Sequence, residues 1–256
     1  MTEVHPRFLY RYRPINEFSL QEILYNTVYI CPFEKLNDPL EGGFLYEPSK
    51  VAELREILKK KALADGEFEI ALLIEWMSDS VIAEADEYIR QKGVEYLDTR
   101  AKGREWGAVC FTERFDNMQM WAHYADGHKG IVIEYDLSGA DIPAGALRKV
   151  KYTSTPGTTS SETVLTAEGN GQFAETLSYK LPDWTSEEEW RLLSNEVGVK
   201  RLLIPVRRVI AGIHATHEAK SHVVNALKRR GSGRFAEMVI DSSVARRIRV
   251  HDVLGD

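Results

Sequence analysis

Cysteine is almost absent. Only Cys31 and Cys110 occur in 256 residues, which excludes a disulfide-stapled scaffold and a zinc site built on paired thiolates. Each lies in an apolar, strand-like run, so the expectation is two buried, reduced thiols in a cytosolic protein. No run of about eighteen apolar residues occurs, and the opening MTEVHPRFLYRYRP holds no apolar leader segment. These absences predict a soluble, cytoplasmic chain without a membrane partner. Positive charge is not in excess either: a net charge of −6 removes any global attraction to nucleic acid. Only local groups remain as candidate contacts for it, namely Arg207–Arg208, Lys228–Arg229–Arg230 and Arg246–Arg247–Arg249. The glycine-rich phosphate loops G-x-G-x-x-G and G-x-x-x-x-G-K-[ST] are missing, as is the hydrolase elbow G-x-S-x-G. No internal repeat appears.

What is present is an ordinary globular composition, 43% apolar and 28% charged, on a chain long enough for one large domain. Alternation in Phe8–Arg13 predicts a strand with Leu9, Arg11 and Arg13 on one face and Phe8, Tyr10 and Tyr12 on the other. Ser19-x-x-Glu22 reads as a capping box opening a helix that Asn26 ends, and residues 27–33 read as a second strand. Residues 36–43 carry Asn37, Asp38, Pro39 and two glycines, a turn in which Glu41 makes a functional loop equally plausible. Helical spacing over 49–98 predicts an inserted helical subdomain.

The densest chemistry lies in 110–136. A strand ends at Thr112, Asp116 or Asn117 caps a helix over 117–125 bearing Trp121, His123 and Tyr124, and a strand follows His128 and Gly130. Residues 153–172 are rich in Ser, Thr and Gly and predict a flexible loop or lid. Residues 187–193 predict a strand that places Glu187, Glu189 and Arg191 on one face. Residues 197–206 and 209–214 predict two further strands, 217–230 an amphipathic helix, and the tail one or two strands. The whole, residues 1–256, is expected to be a single α+β domain.

LYRYRPIN (9–16), NTVYICPFEKLNDPLEG (26–42), CFTERFDNMQMWAHYADGHKGIVIEYD (110–136) and EEEWRLL (187–193) together resemble the bacterial family called domain of unknown function 2971. The motif W-A-H-Y-A-x-x-H-x-G carries most of that resemblance. More distantly, the order of a strand with arginine, an aromatic strand, a strand ending in Thr and an E-x-E strand is similar to ADP-ribosyltransferases. That second resemblance implies two small, mostly antiparallel sheets forming a cleft for NAD, used as a substrate, in an ADP-ribosyltransferase-like enzyme. It implies Arg13 or Arg11 and Thr112 as NAD-binding groups and Glu187 and Glu189 as catalytic carboxylates. The pattern departs from the superfamily in having Cys110–Phe111–Thr112 instead of an S-T-S triplet. The acceptor implied is protein, nucleic acid or water, in a setting of bacterial toxin or phage-defence biology.

Each candidate has a plainer alternative. Glu187 and Glu189 also fit a solvated acidic strand face paired with Arg191. Trp121, Tyr124 and Tyr29 suit stacking on a nucleotide, yet aromatics on such elements commonly fill the core. His123 and His128, five residues apart, lack the i, i+4 spacing of a helical metal pair, so no metal is expected. Two other functions stay open: a non-catalytic nucleotide or nucleic-acid sensing module, and a metal-dependent nuclease using Asp38, Glu41, Glu187 and Glu189.

Overall fold

A computed structural model describes residues 5–38, 40–102, 106–166, 169–241 and 247–254. The chain begins β1 (Phe8–Arg13), α1 (Glu17–Tyr25), β2 (Thr27–Pro32) and, after a turn, β3 (Phe44–Tyr46). Three helices follow: α2 (Val51–Ala64), α3 (Phe68–Trp76) and α4 (Asp79–Lys102). Next come β4 (Gly107–Thr112), α5 (Met118–Tyr124), β5 (Ile131–Asp136), β6 (Leu147–Lys149), β7 (Lys151–Tyr152) and β8 (Gly157–Thr159). Then α6 (Ser161–Leu165), α7 (Gly169–Thr176), β9 (Tyr179–Lys180), a 3-10 turn over Pro182–Glu187, and β10 (Glu189–Ser194). The chain closes with β11 (Gly198–Arg201), β12 (Val206–Ala211), α8 (His217–Arg230), β13 (Arg234–Asp241) and β14 (Arg247–Leu254).

The fold is mixed α+β and mostly antiparallel. Among the described residues, ten strands form one hydrogen-bonded sheet in the order β11-β2-β4-β1-β5-β12-β13-β14, with β10 on β4 and β6 on β10. The expected pair of separate small sheets is therefore one branched sheet, accompanied by the two-stranded pairs β3·β8 and β7·β9.

The branch point is β4. One of its edges is taken by β10 along its whole length, from Glu189 opposite Thr112 to Ser194 opposite Gly107. The other edge is shared: β2 pairs at Gly107 and Ala108, and β1 pairs only at Thr112. Between those points β1 and β2 splay apart, and a cleft opens over Cys110 and Phe111. At Gly107 β2 lies close against β4, where a Cβ would stand 2.7 Å from the Cys31 carbonyl oxygen, and the strands part beyond Ala108.

One face of the sheet carries the main core. Leu9, Val28, Ile30, Val109, Phe111 and Trp190 pack there with Ile23 of α1 and Val223, Ala226 and Leu227 of α8. Each fully buried aliphatic side chain contributes about 1.5–3 kcal/mol, so this cluster fixes the sheet against its two helices. Helix α8 is bounded as its sequence dictates: Thr216 accepts a hydrogen bond from Ala219 N at 3.2 Å, and Gly231 closes it in the left-handed conformation. The insert has its own small core of Leu54, Ala71, Ile74, Ile82 and Ile89.

Several local expectations are corrected. Helix α1 starts earlier than predicted, because Asn16 supplies the N-cap and Ser19 is its reciprocal partner at N3. Residues 153–172 are not a bare loop, since β8, α6 and the start of α7 fall within them. That segment is ordered from outside: β8 pairs in parallel with β3, while the Tyr46 and Ser161 hydroxyls both donate to Asp86, at 2.8 and 2.5 Å. The expected strand over 197–206 is only Gly198–Arg201, and β12 starts at Val206, ahead of the expected 209. Pro39 of the expected turn, Ala167 and Glu168 of the expected loop and Arg246 of the basic cluster lie outside the described residues. Arg207 and Arg208 are both bound to the buried Glu134.

Candidate functional site

The cleft holds a cavity of about 310 Å³, within the range of small-molecule sites. Its floor is Ala108, Cys110 and Phe111 of β4, one wall comes from β1 and β2, and the other from Glu41, Tyr124, Lys180, Glu187 and Glu189.

The acid wall is a buried ion network. Glu187 lies in the 3-10 turn rather than in the strand, which begins only at Glu189. Between them Glu188 adopts a left-handed φ of 45°, and this reversal brings both flanking carboxylates to Lys180. The Lys180 ammonium lies 2.6 Å from Glu187 Oε2, 3.1 Å from Glu189 Oε2 and 3.5 Å from Glu41 Oε1. Arg191, fully buried, donates from Nε and Nη2 to the two oxygens of Glu189 at 2.8 and 3.1 Å, from Nη2 to Glu41 Oε1 at 2.7 Å, and from Nη1 to the Leu177 carbonyl at 2.7 Å. Three carboxylates thus face two cations. Burial opposes ionisation of Glu189, but the Arg191 and Lys180 charges outweigh it and hold the carboxyl down at about 2. For Glu41 burial wins and the carboxyl is raised, while its Oε2 has no hydrogen-bond partner among the described residues. Burial also raises the Tyr124 phenol, further raised by its 2.6 Å hydrogen bond to Glu187 Oε1; Asn37 donates to the same phenol at 2.5 Å.

The opposite wall is positive. Arg11 and Arg13 leave β1 on its α1 side, where they share one carboxylate: Glu22 lies 2.9 Å from Arg11 Nη1 and 3.4 Å from Arg13 Nε. Both arginines border the cavity where β1 and β2 part, together with the exposed Lys35. All three pull down the Cys31 thiol, which burial nonetheless raises. Three cations against Glu22 leave this side with surplus positive charge. Cys31 and Cys110 are free, half-buried and line the cavity, correcting the expectation that both thiols are buried. Burial, then Glu189, raises Cys110.

The structure gathers Arg11, Arg13, Tyr29, Asn37, Glu41, Tyr124, Glu187 and Glu189 around this cavity. It does not bring the other candidates there. Thr112 is buried, its hydroxyl accepting from Arg114 N at 3.2 Å. Asp38 accepts from Leu40 N within the turn. Trp121 is fully buried, donating from its indole to the Phe115 carbonyl at 2.8 Å, and His123 is exposed. His128, at φ 69°, stacks on Trp121 and meets His214 edge-on. A Cβ at Gly130 would lie 2.3 Å from the Arg13 carbonyl oxygen. The W-A-H-Y-A-x-x-H-x-G motif is thus chiefly a packed corner against β1 that aims Tyr124 into the cleft. Sequence reasoning missed Lys180 and Lys35 as site residues: Lys180 stands in no recognisable motif, and Lys35, though inside the 26–42 segment, is not singled out by it.

No curated protein and no solved structure matches this chain. Residues 120–192, which carry Tyr124, Lys180, Glu187, Glu189 and Arg191, match the model of a family described as a protein of unknown function, DUF2971, and support the first resemblance drawn above.

Proposed function

We propose that the cleft binds NAD and that the protein transfers its ADP-ribosyl group to a protein or nucleic-acid acceptor, or to water. The observation that supports this is the polarity of the cavity. Arg11, Arg13 and Lys35 leave one side with excess positive charge, and Glu41, Glu187 and Glu189 leave the other with excess negative charge. NAD has matching ends, an anionic diphosphate and a cationic nicotinamide ribosyl group. When its glycosidic C–N bond breaks, nicotinamide leaves with the electron pair and positive charge develops on the ribose. A carboxylate that stays ionised stabilises that charge, and Glu189, held near 2, stays ionised throughout the ordinary pH range. Glu187, fixed by Tyr124 and Lys180, orients the ribose hydroxyl or the incoming nucleophile.

One observation favours a nucleotide-sensing module without turnover: both Glu189 oxygens already accept from Arg191 or Lys180. The nuclease reading needs four carboxylates at one metal. Three of them converge instead on the Lys180 ammonium, and Asp38 faces its own turn.

Incubation with labelled NAD separates these readings. Wild type is expected to release nicotinamide or transfer label, and Glu189→Gln to lose at least about a hundredfold in rate. Calorimetric binding of NAD by wild type without turnover selects the sensing module. Neither binding nor consumption removes both.

A further inference from the structure

Helix α3 reverses the usual distribution of side chains. Its sequence, FEIALLIEW, buries only Ala71 and Ile74 against the insert. On the outside Phe68 is 67% exposed, Leu72 68%, Leu73 60% and Trp76 87%. Phe68, Leu72 and Trp76 are spaced i, i+4, i+8 and form one ridge, with Leu73 to one side of it. From ordinary side-chain areas Phe68, Leu72, Leu73 and Trp76 expose on the order of 600 Å². That stands at the upper end of the largest apolar patches of monomers, about 300–600 Å² and often functional, and is most of the roughly 800 Å² per partner of a standard interface.

We infer that this ridge is a two-fold interface between two copies of the chain. The ridge is self-complementary: Phe68 and Trp76 stand four residues either side of Leu72. Antiparallel pairing about Leu72 therefore sets each Phe68 against the partner's Trp76 and closes the contact without leaving a free copy of the surface. The rim argues against an anionic lipid surface. Glu67 and Glu69 flank the N-terminal end, and Glu75 and Asp79 the C-terminal end. Lys59 and Arg55 are already engaged with the latter two.

The pairing geometry gives a specific test. Sedimentation equilibrium at micromolar concentration is expected to return twice the chain mass for wild type. Leu72→Glu, which puts two like charges on the axis, is expected to weaken association at least about thirtyfold with an unchanged circular dichroism spectrum. Phe68→Lys and Trp76→Glu should each dissociate alone and associate when mixed, because one mixed pair then joins lysine to glutamate and Phe68 to Trp76. A monomeric wild type, or no recovery on mixing, overturns the inference. Flotation of a monomeric wild type with neutral phosphatidylcholine vesicles also overturns it, in favour of a lipid contact.

Discussion

The cleft and the helical insert break the inside–outside rule in opposite directions. At the cleft, Arg191, Glu189 and Lys180 are charged and almost wholly buried, whereas in the insert Phe68 and Trp76 are apolar and largely exposed. The two departures differ in what resolves them. Buried ions are tolerable when their neighbours supply the charge and hydrogen bonds that water would have given, and the cleft network does so within the chain. Exposed apolar surface has no such remedy inside a short helix whose opposite face is already packed. Its resolution must come from another surface. Both features mark candidate sites, the first neutralised within one chain and the second matched to the proposed contact with a second copy.

The comparison is most severely tested by breaking the buried network. Arg191→Met leaves Glu41 and Glu189 with only Lys180 between them and removes the donor to Leu177. The expected loss of stability is about 3–5 kcal/mol, measured by urea unfolding, and adding Glu189→Gln should restore part of it. A loss below about 1 kcal/mol would mean that the network is hydrated and loosely held.

A smaller effect is expected from pH. The folded-state pKa of Glu189 is depressed to about 2, so its contribution is present above its unfolded value and is lost as pH falls towards 2. Glu41 acts in the opposite sense: its raised carboxyl makes folding less favourable as pH rises through its own titration. Melting temperature should therefore fall between about pH 5 and 2. Glu189→Gln should start lower but show a flatter acid limb, and equal slopes for the two proteins would assign the acid sensitivity elsewhere.

The smallest effects belong to the outside of the insert. Lys59→Ala removes an exposed pair with Glu75 and should change stability by no more than about 0.5 kcal/mol. Leu72→Glu, measured at a dilution where any dimer has dissociated, should do the same. A large loss for Leu72→Glu under those conditions would show that α3 packs more tightly within the chain than its exposure indicates.

Local chemistry made a good part of this legible. The alternation of Phe8–Arg13 correctly puts Leu9 in the main core and Tyr10 and Tyr12 in the separate core cluster with Trp121. Asn26 ends α1 in the left-handed conformation expected of it, and the 3.6 periodicity of the insert and of α8 yields helices close to the predicted bounds. The neighbourhood of Glu189 was only half legible. Strand alternation from 187 groups Glu187 with Glu189, but what groups them in the fold is the reversal at Glu188. Residues 153–172 were illegible for a related reason: polar, small side chains give no periodic signal, and their order comes from Phe44–Tyr46 and Asp86, more than seventy residues earlier.

The sequence by itself determined most of the longer strands and helices, where Thr216 and Gly231 bound α8, and that Arg11, Arg13, Tyr124, Glu187 and Glu189 are candidates for the chemistry. These depend on turns, caps and periods acting over a few residues. Only the tertiary structure decided that β1 and β2 share one edge of β4 and part over Cys110, and that Glu41, Lys180 and Arg191 meet there. The pairing of strands distant in sequence, and the neutralisation of one buried charge by another, are set by the packing of the whole sheet.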